Sequence, residues 1–184
     1  HLMKMWKKLA ACVLAAAMAL TLLTACGGGG GGSTGASVTP DTSREKQMIG
    51  YVQKYIKNYY GIGLVEADSN VRSALYATLP QVVACMDDSL NGKDVSNRMN
   101  QLTNSLDQRM KALNKKGMAF SEAFMGFLTE DGVNEWLEDN QIEDFINELE
   151  RQGVEPKTVS VAATTKFNAT VGMDLVYIIL VIAN

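Results

Sequence analysis

The sequence of 184 residues predicts an α+β fold, an N-terminal helical layer followed by a C-terminal antiparallel β-hairpin packed on it. Three observations carry that expectation. Apolar side chains recur at helical spacing until about residue 153, and the period then changes to strict alternation over 158–167. The last apolar run, "LVYIILVIA" at 175–183, is rich in β-branched residues and too short to span a bilayer as a helix.

The first helix is expected to start at a capping box, Thr42 with Glu45, in which hydroxyl and carboxylate satisfy free N–H groups. Met48, Ile49, Val52, Tyr55, Ile56 and Tyr59 then share one face, and Gly61 supplies the stop. Two shorter helices follow, Ser69–Leu79 and Pro80–Leu90, closed by an Asn91-Gly92 turn. Asp94 is placed to cap a long helix whose apolar positions Val95, Met99, Leu102, Leu106, Met110 and Leu113 trace a narrow seam. That seam runs for fewer than three heptads, so it reads as core-facing rather than as a coiled coil. Lys115 and Lys116 suit its C-terminal dipole, and Gly117 is expected to end it. Phe120, Phe124, Phe127 and Leu128 mark a further helix. Trp136, Leu137, Ile142, Phe145, Ile146 and Leu149 complete the helical set, with Gly153 as the stop.

In the first strand, Val159, Val161, Ala163, Thr165 and Phe167 alternate with Ser160, Ala162, Thr164 and Lys166, the pattern of a half-buried strand. The second strand is apolar on both faces. A two-stranded hairpin is marginal alone, so the second face needs a cover: another helix, a segment beyond Asn184, or a partner protein docked on the hairpin.

Ahead of the helices lie two segments of different character. Lys4, Lys7 and Lys8 precede an apolar stretch from Leu9 to Ala25, and small residues lead up to Cys26, as in an export signal. Leu23-Thr24-Ala25-Cys26 resembles a bacterial lipobox. That resemblance implies a signal peptide over 1–25, diacylglycerol on Cys26 whose two acyl chains are fatty acids such as palmitate, and a chain held on the outer face of the cell membrane. An uncleaved transmembrane helix is the competing reading, and it too leaves the remainder outside. His1 is no initiator, so translation is expected to start at Met3 or Met5. The glycine-rich segment 26–42 is expected to be a flexible tether, too poor in apolar residues to offset the entropy of folding. Residues 43–184 are then a single extracytoplasmic domain.

Without the signal the chain keeps fourteen cations against twenty carboxylates, a charge near −6. So acidic a domain is a poor nucleic-acid binder, and it does not adsorb electrostatically to anionic lipid. Of the three cysteines, Cys12 leaves with the signal and Cys26 is taken by lipid. Cys85 is left among Val82, Val83 and Met86, the setting of a small buried hydrophobe.

The chemistry is mostly one of exclusions. The sole histidine is His1, which removes Ser-His-Asp and Cys-His catalysis and leaves no His/Cys set for zinc. No P-loop or dinucleotide fingerprint is present, since the polyglycine precedes no strand–helix unit. Carboxylate-only hydrolysis stays open, but such sites use aromatic platforms, and Trp136 is the one tryptophan beyond the signal. No catalytic residue, metal ligand or cofactor is therefore expected, and the chain is read as a non-enzyme.

Three features invite a ligand. Asp87, Ser89, Asn91 and Gly92 match the start of an EF-hand loop, but its twelfth position is Arg98 where a bidentate Glu belongs, so an ordinary turn is the better reading. The segment from Glu130 to Glu155 holds ten carboxylates and one cation, Arg151, and reads first as a solvated face and second as a site for a divalent cation or a basic partner. Tyr51, Tyr55 and Tyr59 step by four along one face, a packing stripe or a contact platform, with Tyr60 pointing elsewhere.

The run "VNEWLEDNQIEDFINELERQGVEPKTVSV…DLVYIIL" resembles small uncharacterised lipoproteins of Gram-positive gut bacteria. It implies the same location and an acidic helix before a hairpin, with no activity attached. The resulting expectation is a lipid-anchored extracytoplasmic binding or interaction module of unknown ligand. An accessory subunit of an envelope complex, marked by an apolar patch on the hairpin, and a carboxylate hydrolase, marked by a cleft with two close carboxyls, are the alternatives.

Overall fold

The computed structural model describes residues 38–184. The expected signal peptide, Cys26 and the expected tether over the glycine run lie outside the described residues. The fold is α+β, with helices on both sides of a four-stranded mixed sheet.

Helix α1 (Thr42–Tyr60) is followed by the short strand β1 (Val65–Glu66), α2 (Ser69–Leu90) and α3 (Ser96–Ala112). Strand β2 (Gly117–Met125), α4 (Glu130–Asp139), α5 (Ile142–Arg151), β3 (Thr158–Asn168) and β4 (Met173–Ala183) complete the chain. The sheet order is β1-β3-β4-β2, with β1 parallel to β3 and the other neighbours antiparallel. The expected hairpin is therefore the middle of a wider sheet.

Strand β4 explains the three-layer build. Val176, Ile178, Leu180 and Ile182 enter a core with α1, α4 and α5. Leu175, Tyr177, Ile179 and Val181 enter a second core with α2 and α3. A strand apolar on both faces must be covered on both, and here the chain supplies both covers. The second layer also buries the polar side of β3, so Ser160 and Thr164 are only 5% and 4% exposed.

Several local expectations are corrected. Residues 120–128 are not a helix: Gly117–Met125 is strand β2. A spacing of four between Phe120 and Phe124 suits a helix turn, but it also puts both rings on one face of a strand. Both pack on the α1–α4–α5 core, while Ala119 and Ala123 face the other. Gly117 does not end the preceding helix, which stops at Ala112 and turns through Asn114 at φ 56°. Gly117 instead opens β2, where a Cβ would stand 2.1 Å from the Ile182 carbonyl oxygen.

The two helices expected on either side of Pro80 are one, α2. Val71, Leu75, Leu79, Val82 and Val83 keep one buried face through the proline, and that packing outweighs one lost backbone hydrogen bond. The cap of α1 is Asp41, whose side chain accepts from the Arg44 N–H at 3.1 Å, not Thr42. Glu45 is drawn away from the helix end by Arg72, which binds both its oxygens at 2.6 and 2.9 Å, and by the Tyr76 hydroxyl at 2.6 Å. Tyr76 also accepts from the Ala163 N–H at 3.2 Å, so this network ties α1 and α2 to the edge of β3 beyond its short pairing with β1.

Other expectations hold. Gly61 and Gly153 take the left-handed conformation at helix ends, and Gly92 turns after α2. Met99, Leu102, Leu106 and Met110 are buried as expected, but the cap of α3 is Val95, not Asp94: Asp94 stands one residue ahead of it, and its Oδ1 accepts from the Ser96 N–H at 3.0 Å.

A candidate binding groove between α1 and the α4–α5 corner

The tyrosine stripe and the acidic run, separate features in the sequence, meet in space. A groove of about 250 Å³ is lined by Tyr55 and Tyr60 of α1 and by Glu138, Gln141, Ile142, Glu143 and Asp144. No lysine or arginine is among the residues that line it.

Each wall follows from local structure. Tyr55 is 4% exposed and packs with the α1 face, whereas Tyr59, one helical turn on, is 64% exposed and leans on it with ring centroids 4.5 Å apart. The stripe thus divides: Tyr55 is core and Tyr59 is surface. Tyr60, which the spacing sets apart from the stripe, is the ring that joins Tyr55 at the groove, 6.2 Å away and tilted by 55°. Burial raises the Tyr55 hydroxyl above its ordinary range, and Tyr60 and Glu138 push it the same way. Burial raises Tyr60 as well, with Glu143 and Glu138 adding to the rise and its hydrogen bond with Tyr55 opposing it. Both phenols are therefore neutral donors at physiological pH, set in a negative field.

The opposite wall is the corner between two short helices. Asn140 is buried, and its side-chain amide donates to the Trp136 carbonyl at 2.8 Å. Gln141 then takes φ 55°, a conformation uncommon for any residue but glycine, and swings the chain into α5. Ile142 is 1% exposed and closes the floor. Glu143 and Asp144 occupy the first turn of α5, where the helix dipole favours negative charge. Glu138 has no such reason to be where it is. It lies in the last turn of α4, which carries no basic residue, and there the dipole disfavours a carboxylate. A local rule broken at a groove wall points to function more than to stability.

Two tyrosines and three carboxylates around a small concavity are suited to a positively charged organic group. A cation over a tyrosine face gains about 0.5–2 kcal/mol, depending on how far it is desolvated. The volume is below the roughly 300–1,000 Å³ of ordinary small-molecule sites, so it fits an ammonium head group or one basic side chain. Among the described residues, no three His, Cys, Asp or Glu side chains are grouped to hold a metal ion.

The remaining sequence candidates have structural roles. Asp87 Oδ1 accepts from the Tyr177 hydroxyl and, at 2.8 Å, from the Asn168 amide, while Oδ2 takes Lys166 Nζ at 2.9 Å. Asp88 binds Lys93 at 2.8 Å and also Arg98. The loop that starts like an EF-hand spends its carboxylates on its own chain. Cys85 is 2% exposed within the α2–α3 core, as expected of a small hydrophobe. Trp136 is 6% exposed and packs edge-on against Phe120 and Phe124, so it is no sugar platform. Glu122 was not singled out from the sequence. Its burial beneath α4 pushes the carboxyl up to about 7, against the pull of the Ala123 N–H and the Trp136 indole. No helix among the described residues is long and apolar enough to cross a membrane.

A scan against protein families finds no match, and searches of curated proteins and of solved structures find none either.

Proposed function

We propose that this chain is a lipid-anchored, extracytoplasmic binding module, not an enzyme, that takes a positively charged organic group in the groove between α1 and the α4–α5 corner. The observation that carries the reading is the joining of Tyr55 and Tyr60 with Glu138, Glu143 and Asp144 around one concavity free of basic residues. Ring faces supply attraction that does not depend on exact ligand geometry, and the carboxylates supply charge. The groove is lined by no histidine, serine, threonine or cysteine, and a hydrolase working through its three carboxylates is the alternative reading. The anchor reading rests on the lipobox at Leu23–Cys26 and on the lysine-led apolar segment before it. It places the protein at the outer face of a bacterial cell membrane, attached through diacylglyceryl-Cys26.

Calorimetric titration with choline chloride, the simplest quaternary ammonium probe, tests the binding claim against matched NaCl. Choline should give saturable heat that NaCl does not. Glu138→Gln should weaken it about 2–5-fold, the range of one exposed charge contact. Equal, non-saturating heats from both salts contradict the reading.

A further inference from the structure

Six large apolar side chains are strongly exposed among the described residues, and four of them lie at one end of the sheet: Met125, Phe127, Phe167 and Met173, at 49%, 65%, 59% and 39%. Met125 closes β2, Met173 opens β4, and Phe167 is next to last in β3. Met125 pairs with Leu175, Phe167 with Asp174, and Met173 with Asn168, so three adjacent strands bring these residues to the same end of the sheet, Met125 and Met173 on its α2–α3 side and Phe167 on its α1–α4–α5 side. Strands lie about 4.8 Å apart, so the three surround the sheet end within roughly 10 Å across β2, β4 and β3. Phe127 extends it past the end of β2.

The route of the chain into the domain favours one occupant. The Thr39 carbonyl accepts from the Thr164 hydroxyl at 2.8 Å, the Asp41 N–H donates to the Ala163 carbonyl at 2.8 Å, and Asp41 Oδ2 takes the Thr165 hydroxyl at 2.6 Å. The segment arriving from Cys26 thus meets β3 beside Thr164, three residues before Phe167. Twelve residue steps separate Cys26 from Val38. Twelve steps of any chain reach at most about 40–43 Å, so an anchor at Cys26 holds the end of the domain that meets Thr39 within that distance of the lipid. Helix α1 starts at this same end and runs away from it, and soon after Tyr60 the chain pairs Val65 with Thr158 at the opposite end of β3. The groove therefore faces away.

We propose that the apolar sheet end formed by Met125, Phe127, Phe167 and Met173 rests on the phospholipid bilayer that holds the Cys26 anchor, and so presents the groove outward. This inference rests on the reading of Cys26 as lipidated. Contact is shallow, at the interfacial boundary, because Asp174 is exposed among these residues and must stay hydrated, while Lys166 is held by Asp87 and offers no free cation to anionic head groups. Lipid charge should accordingly matter little.

The full chain, lipidated in a bacterial host and reconstituted in phosphatidylcholine vesicles with nitroxide-bearing acyl chains, provides the test. An environment-sensitive fluorophore is placed on F127C or, at the far end, on Y59C, against a control with neither substitution. Quenching several-fold stronger at 127 than at 59, reduced by F167D and by M173D while the chain stays on the vesicles, is the expected result. Equal quenching at the two positions overturns the proposal and describes a domain turning freely on its tether. Absence of quenching at 127 also overturns it, and cross-linking through that position then distinguishes a second copy from another protein. The mass of the N-terminal peptide of the vesicle-bound chain separates the two claims: a peptide that begins at Cys26 and carries diacylglycerol supports the anchor reading, and an unmodified Cys26 or retained residues 1–25 contradicts it whatever the quenching shows.

Discussion

Tyr55 and Tyr59 show how much one helical turn decides. Both follow the same four-residue step, yet α4 covers the first and solvent meets the second. Tyr55→Ala should destabilise the fold by about 3–5 kcal/mol, as for other large aromatic truncations in a core, and Tyr59→Ala by less than about 0.5 kcal/mol. Urea unfolding of the two variants checks the contrast, and comparable losses would contradict the assignment of one to core and the other to surface. Glu122 belongs to the same scale. Its carboxyl is held at about 7 against an ordinary 4.5, so the folded state binds its proton more tightly than the unfolded chain does. The contribution is full below about pH 4.5 and is lost as pH rises through about 7, up to roughly 3 kcal/mol. Glu122→Gln should therefore raise stability at pH 8 and flatten its decline between pH 5 and 8, measured as urea midpoints. An unchanged pH profile would show that the carboxyl is not the source.

Among the elements, β2 is the one the sequence disguised. Its two phenylalanines satisfy helical and strand periods alike, and what decides between them is the unpaired side of β4, a long-range partner that no local window contains. The signals that were legible are those with a local cause: left-handed glycines at 61, 92 and 153, the seam of α3, and the double-faced run of β4. Those that failed involve competition. Asp41 outbids Thr42 for the α1 cap because Glu45 is taken by Arg72 and Tyr76. Pro80 fails to break α2 because a buried face continues through it. Gly117 offers a check on the strand assignment. Gly117→Ala would drive a methyl into the backbone of Ile182 and Ala183 and should cost about 1–3 kcal/mol. As a mere helix terminator outside the sheet, the glycine would tolerate alanine with little loss, and thermal unfolding separates the two cases.

At the scale of the whole molecule, the separation of surfaces along the sheet is the main consequence of the topology. The end where β3 finishes carries the exposed apolar side chains and lies nearest the point where Thr39 meets the sheet, while the end where β3 begins carries the Tyr55–Tyr60 groove. The components of the groove were legible in the sequence as a tyrosine step and a carboxylate run. Their meeting was not, because it depends on α4 packing against α1 and on Gln141 turning the corner in a left-handed conformation. Tyr60 is put outside the core stripe by helical spacing. It reaches the groove because the α4–α5 corner stands just beyond the end of α1.

The measurement closest to the central claim is a two-dimensional amide NMR titration of residues 38–184 with choline chloride, referenced to equal NaCl. Saturable shifts should centre on Tyr55, Tyr60, Glu138 and Gln141–Asp144, and should disappear in Tyr60→Ala. Shifts that NaCl reproduces, or that spread over the acidic surface without centring on the groove, would contradict it.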